Sequence, residues 1–389
     1  MKDKQIKKLI DKETRRQDSV INLIASENYP SADVREALGS VFMDQYAEGY
    51  PGRRYYGGLA VIDELERLTQ NRAREVFGLS AKKWHVNVQA LSGTPANLAI
   101  YHALVPIGGS IMGMALDAGG HLSHGYKVSV TGKLWEQISY GVDEDTQMID
   151  YEQLLSIAKK RQPDIIVAGF SAYPRKINWK KFREIADAGN ALLMVDMSHI
   201  AGLVAGRAHT SPFPYADIVM TTTHKTLRGP RGALIFSRID ERKIPSKIDK
   251  SVFPGLQGGP HMDQVAATAV ALYEAHAGKF KTYAQKVVEN AKVLATTLKS
   301  LGWKLVSGGT DTHLILVDVY ATTGMGGEEA QARLEAAGII VNKNAIPFDS
   351  RTPNDPSGIR LGTAAETTRG KKKKDFDSIA RTIDNILRS

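Results

Sequence analysis

Short apolar runs alternate with helical segments through the first 240 residues, and this alternation constrains the fold more than any other feature. Helices are predicted between the runs at Pro95–Leu104, Ile149–Lys160 and Trp179–Ala188. Strands are predicted at Val86–Gln89, Ser110–Ala115, Asp164–Phe170, Ala191–Asp196, Asp217–Thr222 and Gly232–Phe236. Buried, β-branched runs separated by helices indicate an α/β fold, a largely parallel sheet with helices on both faces.

The pattern restarts after the Gly/Pro-rich segment Phe253–Pro260, which predicts a second, smaller α+β unit. One long helical stretch is expected over 262–301, followed by the strands His313–Val319, Ile339–Asn342 and Ile359–Gly362, the helix Glu328–Ala337 and a terminal helix. We therefore divide the chain into an N-terminal arm (1–45), a large domain (46–275) and a small C-terminal domain (276–389).

Two segments near the N-terminus carry patterns of their own. Ile6, Leu9 and Ile10 stand at helical spacing among charged residues, which predicts an amphipathic helix that packs on another surface. Residues 44–58 combine four glycines with four tyrosines and read as a loop. Loops with this composition often carry function.

Composition excludes several classes of protein. The chain has no cysteine, which rules out disulfides, thiol catalysis and thiolate metal sites and fits a cytoplasmic protein. No run of 18 apolar residues occurs, and Met1–Asp11 has no apolar core, so we expect neither a membrane span nor a signal peptide. The net charge of +9 is spread along the chain apart from Lys371–Lys374, which reads as the solvated start of a helix. We therefore predict no nucleic-acid partner.

Lys225 and Asp196 both follow predicted strands, where open α/β sheets bind their ligands. Desolvation and neighbouring cations would lower the pKa of Lys225 and free its amine to form a Schiff base; the alternative is an ordinary exposed lysine. Asp196 could pair with the protonated pyridine nitrogen of pyridoxal phosphate (PLP), or could cap the next helix. His199 follows Asp196 by three residues, and this order is similar to that of PLP enzymes of the aspartate-aminotransferase fold type.

Two polar segments add candidates for the same site. Ser92–Asn97 opens a predicted helix, where free backbone N–H groups suit a phosphate, although simple helix capping explains the same residues. His121 and His124 lie between glycines. A metal site is discounted because no third ligand stands nearby, and a ring stacked on a cofactor or an ordinary loop histidine remain the two interpretations.

Ordered motifs from about residue 20 to 370 resemble serine hydroxymethyltransferase, a PLP-dependent family. The matching strings are Leu23-Ile-Ala-Ser-Glu-Asn28, Tyr46-Ala-Glu-Gly-Tyr-Pro-Gly52, Arg54-Tyr-Tyr-Gly-Gly58, Gly119-Gly-His-Leu-Ser-His-Gly125, Gly169-Phe-Ser-Ala-Tyr173, Val195-Asp-Met-Ser-His-Ile-Ala-Gly-Leu-Val204, Thr221-Thr-Thr-His-Lys-Thr-Leu-Arg-Gly-Pro-Arg-Gly232, Val252-Phe-Pro-Gly255, Gln257-Gly-Gly-Pro260, Val306-Ser-Gly-Gly-Thr-Asp311, Val341-Asn-Lys-Asn344 and Ser357-Gly-Ile-Arg-Leu-Gly-Thr363. The resemblance implies the aspartate-aminotransferase fold type I, with a mostly parallel seven-stranded sheet and a smaller C-terminal domain.

The resemblance also implies how the cofactor is held. Lys225 would form the internal aldimine, Asp196 would bind the pyridine nitrogen, His121 would stack on the ring and His199 would face the O3′ side. The other residues implied to cradle the phosphate or line the cofactor are Ser92, Gly93, Thr94, Ser171 and His224 of one chain, and Tyr46, Gly258 and Gly259 of its neighbour. Sites shared in this way make a homodimer the smallest active unit, and leave dimer or tetramer open.

The implied substrates are serine or glycine and a reduced folate. Arg360 would clamp the amino-acid carboxylate, helped by Ser26 and by Tyr56 of the partner chain. Glu48 of the partner would handle a proton at the serine hydroxyl or the folate. Residues implied to contact folate are Tyr55, Leu116, Gly120, Leu122 and Asn344.

The implied reaction is reversible transfer of the serine hydroxymethyl carbon to tetrahydrofolate, through a PLP external aldimine, giving glycine and 5,10-methylenetetrahydrofolate. A folate-independent PLP aldolase acting on threonine or other β-hydroxy amino acids would keep Lys225, Asp196 and Arg360. It would not need Glu48, Tyr55 and Asn344, which are present. An RNA-binding relative would be expected to have lost catalytic groups, and none is lost; a salt-dependent RNA affinity without cofactor absorbance would support it.

Overall fold

The computed structural model describes residues 1–389 and begins with a helix on the molecular surface. The predicted amphipathic helix is α1 (Lys4–Ser19), whose N-terminus is capped by the carboxylate of Asp3. Its apolar residues Ile6, Leu9 and Ile10 are 46%, 60% and 50% exposed, so the chain itself does not cover these side chains. The next elements are β1 (Ile21–Asn22), α2 (Ala32–Leu38), β2 (Gly49–Tyr50), β3 (Arg53–Arg54) and α3 (Ala60–Phe77). β2 and β3 form a hairpin within the segment predicted as a loop.

A seven-stranded sheet forms the centre of the larger half of the chain. Its strands are β4 (Trp84–Asn87), β5 (Ser110–Met114), β6 (Glu136–Tyr140), β7 (Ile165–Gly169), β8 (Leu192–Asp196), β9 (Ile218–Thr222) and β10 (Ala233–Arg238). They lie in the order β4-β10-β9-β8-β7-β5-β6. Only β10 runs antiparallel to its neighbours, β4 and β9. The predicted mostly parallel sheet is confirmed, although β6 was not among the strands identified from the pattern.

Helices cover both faces of this sheet, as predicted. They are α4 (Gly93–Leu104), α5 (Val130–Leu134), α6 (Tyr151–Arg161), α7 (Trp179–Ala188), α8 (Ala201–Ala205), α9 (Ile244–Lys250) and α10 (Met262–His276). Alternate residues of β7 show the two faces: Ile166 packs in the apolar cluster that includes Phe182 of α7, whereas Ile165 packs in the cluster that includes Ile100 of α4. The sheet is therefore buried on both sides, which explains the near-continuous apolar runs.

A four-stranded antiparallel sheet organises the C-terminal part, in the order β11-β12-β15-β14. The elements are α11 (Gly278–Ser300), β11 (Lys304–Leu305), β12 (Leu314–Asp318), α12 (Val319–Thr323), α13 (Gly327–Ala336), β13 (Ile339–Ile340), β14 (Asn342–Asn344), β15 (Gly358–Gly362), α14 (Ala364–Thr368) and α15 (Lys373–Arg388). The predicted single helix over 262–301 was wrong: it is α10 and α11, separated at Ala277, whose backbone is extended. The predicted strand 339–342 is also split, because β13 pairs with β1 and β14 pairs with β15.

A small apolar cluster joins the two sheets beside the carboxyl end of β7. Ala172, which follows β7, packs with Ala25 and with Leu314 and Leu316 of β12. The backbone next to Ala25 and Ala172 thereby reaches the edge of the large sheet where its ligands are expected. No helix in the structure combines the length and the apolar content needed to cross a bilayer.

Candidate active site

A cavity of about 290 Å³ lies at the carboxyl ends of β7, β8 and β9. Of the residues predicted for the site, it is lined by Ser26, Ser92, Gly93, Thr94, His121, Ser171, Asp196, His199, His224 and Lys225. The cavity is also lined by residues for which the sequence predicted no definite role, namely Glu27, Asn97, His124, Phe170, Ser198, Met220, Thr222 and Arg231. These residues are far apart in the chain. They meet in the cavity because the segments that carry them all end or begin at the same edge of the sheet.

Lys225 sits three residues beyond β9 and is largely buried, so the interpretation as an exposed lysine is wrong. Its Nζ donates a hydrogen bond to Thr222 Oγ1 at 3.0 Å. Desolvation lowers the pKa of Lys225 to about 8, even though the nearby charge of Asp196 opposes the shift. The amine is therefore deprotonated, and so made nucleophilic, more easily than that of an exposed lysine.

Asp196, the last residue of β8, is a buried carboxylate held by several donors. Its Oδ2 accepts hydrogen bonds from His124 Nε2 and Asn97 Nδ2, both at 3.1 Å, and its Oδ1 accepts from Ser198 Oγ at 2.5 Å. Burial by itself would raise the pKa of Asp196, but the hydrogen bonds from His124 and Ser198 and the charge of His124 hold it well below its usual range. The helix-capping interpretation fails, because the next helix, α8, has Ile200 at its N-cap.

The N-terminus of α4 supplies backbone donors to the same cavity. Ser92 is the N-cap residue, but its hydroxyl makes no capping hydrogen bond. The N–H groups of Gly93 and Thr94 accordingly have no partner within the protein. A Cβ on Gly93 would lie 2.7 Å from Thr222 Cγ2, so only glycine lets the helix start this close to β9. Free donors at a helix start, with Arg231 in the same cavity, favour an anion such as phosphate over simple capping.

Two histidines of the cavity, His121 and His224, are held neutral by burial. Desolvation, together with the neighbouring His124, lowers the pKa of His121 to about 4. Desolvation and the charge of Lys225 lower the pKa of His224 to about 3. His121 Nδ1 lies 2.7 Å from Ser123 Oγ, which fixes the orientation of a flat, uncharged ring at the cavity wall.

Arg360 on β15 presents a positive charge without a carboxylate partner. Its Nε donates to Asn342 Oδ1 at 3.1 Å and its Nη1 donates to the Ser171 carbonyl at 2.7 Å. Both acceptors are neutral, and desolvation lowers the pKa of Arg360 to about 10. A buried guanidinium that is oriented but not neutralised is suited to bind a carboxylate from a ligand.

A second group of predicted residues gathers on the surface and does not line the cavity. The rings of Tyr46 and Tyr56 meet edge to face with centroids 5.3 Å apart, and they are 58% and 48% exposed. A Cβ on Gly258 would lie 3.3 Å from Glu48 Oε1, and one on Gly259 would lie 3.3 Å from Tyr46 Cε1. This surface cluster (Tyr46, Glu48, Tyr56, Gly258 and Gly259) is the set that the resemblance assigned to the neighbouring chain.

The residues predicted to contact folate also lie outside the cavity. Leu116 and Leu122 project from the loop after β5 and are 38% and 51% exposed, and Gly120 is buried between them. Tyr55 is 75% exposed, and its ring packs on Phe253 with centroids 5.8 Å apart. Asn344 ends β14, the strand that pairs with the Arg360 strand.

The fold and the cavity together define a class of enzyme. A lysine and a buried carboxylate at the carboxyl ends of neighbouring strands, in a mostly parallel seven-stranded sheet, are the features of a PLP-dependent transferase of fold type I. The chain matches the family model of serine hydroxymethyltransferase over residues 1–383 of 389. It belongs to the serine hydroxymethyltransferase family, whose members are PLP-dependent enzymes that transfer the hydroxymethyl group of serine.

Proposed function

We propose that this enzyme transfers the hydroxymethyl carbon of serine reversibly to tetrahydrofolate, producing glycine and 5,10-methylenetetrahydrofolate. The observation that carries the proposal is the cavity in which Lys225, with a pKa of about 8, and the ionised Asp196 accompany the free N–H groups of Gly93 and Thr94. Family membership supports transfer of the serine hydroxymethyl group, and the residues discussed next support tetrahydrofolate as the acceptor.

The cavity residues fit PLP group by group. Lys225 would hold the aldehyde carbon, Asp196 the ring nitrogen, and the N–H groups of Gly93 and Thr94 the phosphate. His121 offers a neutral ring to the face of the pyridine. When bound, the cofactor supplies an electron-withdrawing ring that stabilises negative charge at the amino-acid Cα. The Asp196 carboxylate, kept ionised by His124 and Ser198, favours a protonated ring nitrogen.

The chain's own side chains would then bind the substrates and move protons. Arg360 would pair with the serine carboxylate beside Ser26, which lines the cavity. Tyr56 of a second copy would help Arg360 to hold that carboxylate. Glu48 of the same copy would accept and return a proton at the serine hydroxyl or the folate. The residues that would contact the folate are Tyr55, Leu116, Gly120, Leu122 and Asn344. Three of them, Tyr55, Leu116 and Leu122, have exposed side chains that are free to do so. The proposed active unit is a homodimer.

Visible spectroscopy tests the proposed reaction directly. The purified protein with added PLP should show the absorbance of a lysine-bound cofactor, because desolvation lowers the pKa of Lys225 to about 8 and makes its amine easier to deprotonate. Glycine should produce a new band at longer wavelength, and tetrahydrofolate should strengthen that band if it completes the site. The same protein should form glycine from serine in proportion to added tetrahydrofolate.

The outcomes separate the two enzyme functions. A spectrum that responds to glycine but not to tetrahydrofolate, with cleavage of threonine, would indicate the folate-independent aldolase. Absence of any cofactor band after addition of PLP would contradict the proposed cofactor site.

Mixed dimers test whether the surface cluster serves the neighbouring chain. Chains carrying Lys225→Ala and chains carrying Glu48→Gln should each form dimers with little activity, since loss of a proton-transfer group costs about 10²–10⁴-fold. In a mixed dimer one site contains both defects and the other contains none. We expect differently tagged, purified mixed dimers to recover activity at one of their two sites.

A matched pair of variants controls this experiment. Lys225 and Asp196 line the same cavity of one chain, so a mixed dimer of Lys225→Ala and Asp196→Asn has a defect at each site and should stay inactive. Equal activities of the two kinds of mixed dimer would show that Glu48 acts within its own chain.

A further inference from the structure

Two buried histidines, one from each sheet, meet beside the cavity. His199 follows β8 and lines the cavity, and His313 directly precedes β12. Their exposed fractions are 7% and 0%. His199 Nδ1 lies 3.3 Å from His313 Nε2, and the ring planes differ by only 25°. The ring centroids are 5.4 Å apart. This separation is close to the sum of the N···N distance and the two ring radii, so both nitrogens lie near the line that joins the centroids. The rings therefore meet edge to edge in a hydrogen bond and are not stacked face to face.

The carbonyl of Ala25 decides which nitrogen carries the proton. It lies 3.1 Å from His313 Nε2, and a carbonyl oxygen can only accept a hydrogen bond. His313 Nε2 is therefore protonated and donates to both Ala25 O and His199 Nδ1. With Nδ1 of His199 acting as an acceptor, the proton of its neutral ring is on Nε2. That Nε2 makes no hydrogen bond to another protein group, and the ring lines the cavity.

We infer that His313 is a positioning residue for the reaction, which holds His199 in the Nε2–H tautomer so that it presents a hydrogen-bond donor to the cavity. The role of this donor in the reaction rests on the proposed function, because the group that would accept the hydrogen bond is the O3′ oxygen of PLP. The opposite tautomer would direct a lone pair at that oxygen, which is electron-rich and would be repelled.

Burial and nearby positive charges keep both histidines neutral, so the pair does not stabilise the fold through charge. Desolvation lowers the pKa of His313 to about 3 and that of His199 well below its usual range, and the charges of Lys225 and Arg360 act in the same direction. Both rings therefore stay neutral, and neither contributes a charge. His313 Nδ1 is buried without a partner, which an apolar ring of similar size would avoid. A buried His313 ring is therefore less favourable than an apolar ring at this place. The hydrogen bond that its Nε2–H donates to His199 explains why a histidine is present.

Nitrogen NMR of the histidine rings in the holoenzyme tests this inference. The probe is ¹⁵N-histidine-labelled enzyme, with the His199 signals assigned through a His199→Asn variant. We expect wild-type His199 to show a protonated Nε2 and a bare Nδ1 at neutral pH. His313→Gln should retain this pattern, because the glutamine amide nitrogen is as many bonds from Cα as Nε2 is. His313→Phe fills the space without a donor, and should give a mixture of His199 tautomers.

Kinetics on the same variants complete the test. His313→Phe should lower kcat/KM by about 10-fold, the lower end of effects for residues that orient a functional group, and His313→Gln should restore most of it. His209→Phe is the matched control, because His209 is 6% exposed, makes a single hydrogen bond to Thr210 O and lies outside the cavity. It should change neither the His199 signals nor kcat/KM.

Two results would overturn the inference: a proton on Nδ1 of wild-type His199, or unchanged His199 signals and kinetics in His313→Phe. If His313→Phe does not fold, the wild-type and His313→Gln spectra still decide the tautomer. Spectra without added PLP separate this inference from the proposed function, since a protein that fails to bind the cofactor can still show the expected tautomer.

Discussion

Replacing Lys225 by alanine is expected to lower kcat for the serine reaction by about 10²–10⁴-fold, the range lost with a positioned proton-transfer group. The reason is that Lys225 provides the only lysine amine lining the cavity, with a pKa lowered to about 8 by desolvation. The variant should still bind PLP through the Asp196 and α4 contacts, but without the absorbance of a lysine-bound cofactor. Steady-state kinetics and visible spectra of the purified variant measure both effects.

Arginine at the same position separates charge from nucleophilicity. Lys225→Arg keeps a cation in the cavity but offers no free amine, because a guanidinium remains protonated. We expect it to be as inactive as Lys225→Ala. Substantial turnover by either variant would show that Lys225 does not hold the cofactor, and would move the proposed site elsewhere.

Asp196→Asn is the second substitution with a large expected effect. An amide cannot balance the charge of a protonated ring nitrogen, and breaking a buried charge pair costs about 3–5 kcal/mol, equivalent to about 10²–10⁴-fold. We expect a loss of this size in kcat and weaker retention of PLP, measured by turnover and by dialysis of the holoenzyme. His124 and Asn97 would still lie beside the new amide.

Asp217 offers a closely matched control for Asp196. Both carboxylates are 8% exposed and accept several hydrogen bonds, but Asp217 precedes β9, at the opposite end of the sheet. It pairs with Arg183 and Arg242 and does not line the cavity. Asp217→Asn should reduce thermal stability while leaving kcat close to the wild-type value. Equal losses of kcat in the two variants would mean that Asp196 acts through stability alone.

The fold was largely predictable because strands that are buried on both faces consist of continuous apolar or β-branched runs, which are easy to recognise in a sequence. Strands with two covered faces, such as β7 and β9, are entirely apolar or β-branched and were placed to within a residue or two. β6 was missed because edge position leaves Glu136 and Ser139 exposed and breaks the apolar run. The break at Ala277 was missed because it involves neither proline nor a run of glycines. The domain boundaries and the cytoplasmic location stay predictions.

The candidate site was predictable where a residue follows a strand, and not where its role depends on tertiary contacts. Lys225 and Asp196 were found because strands deliver them to one edge of the sheet. His124 and Asn97 were not assigned roles, because nothing local in the sequence shows that both reach the Asp196 carboxylate. The pairing of His199 with His313 joins residues from the two sheets, and no spacing rule connects them. The roles taken from the family resemblance remain to be tested by the variants above.

The antiparallel pairing of β9 with β10 has a consequence for the order in which the site can assemble during folding. Antiparallel neighbours need only a short connection, whereas parallel neighbours need a long crossover. The segment between β9 and β10 contains Lys225. Two backbone hydrogen bonds close it: Thr223 N–H donates to the Gly232 carbonyl, and Gly229 N–H donates to the Thr223 carbonyl. Such local contacts can form quickly. The contacts that bring α4 and Asp196 to the site join residues farther apart in the chain, and these contacts form more slowly. During refolding, PLP capture should therefore report completion of the whole sheet rather than formation of the lysine loop.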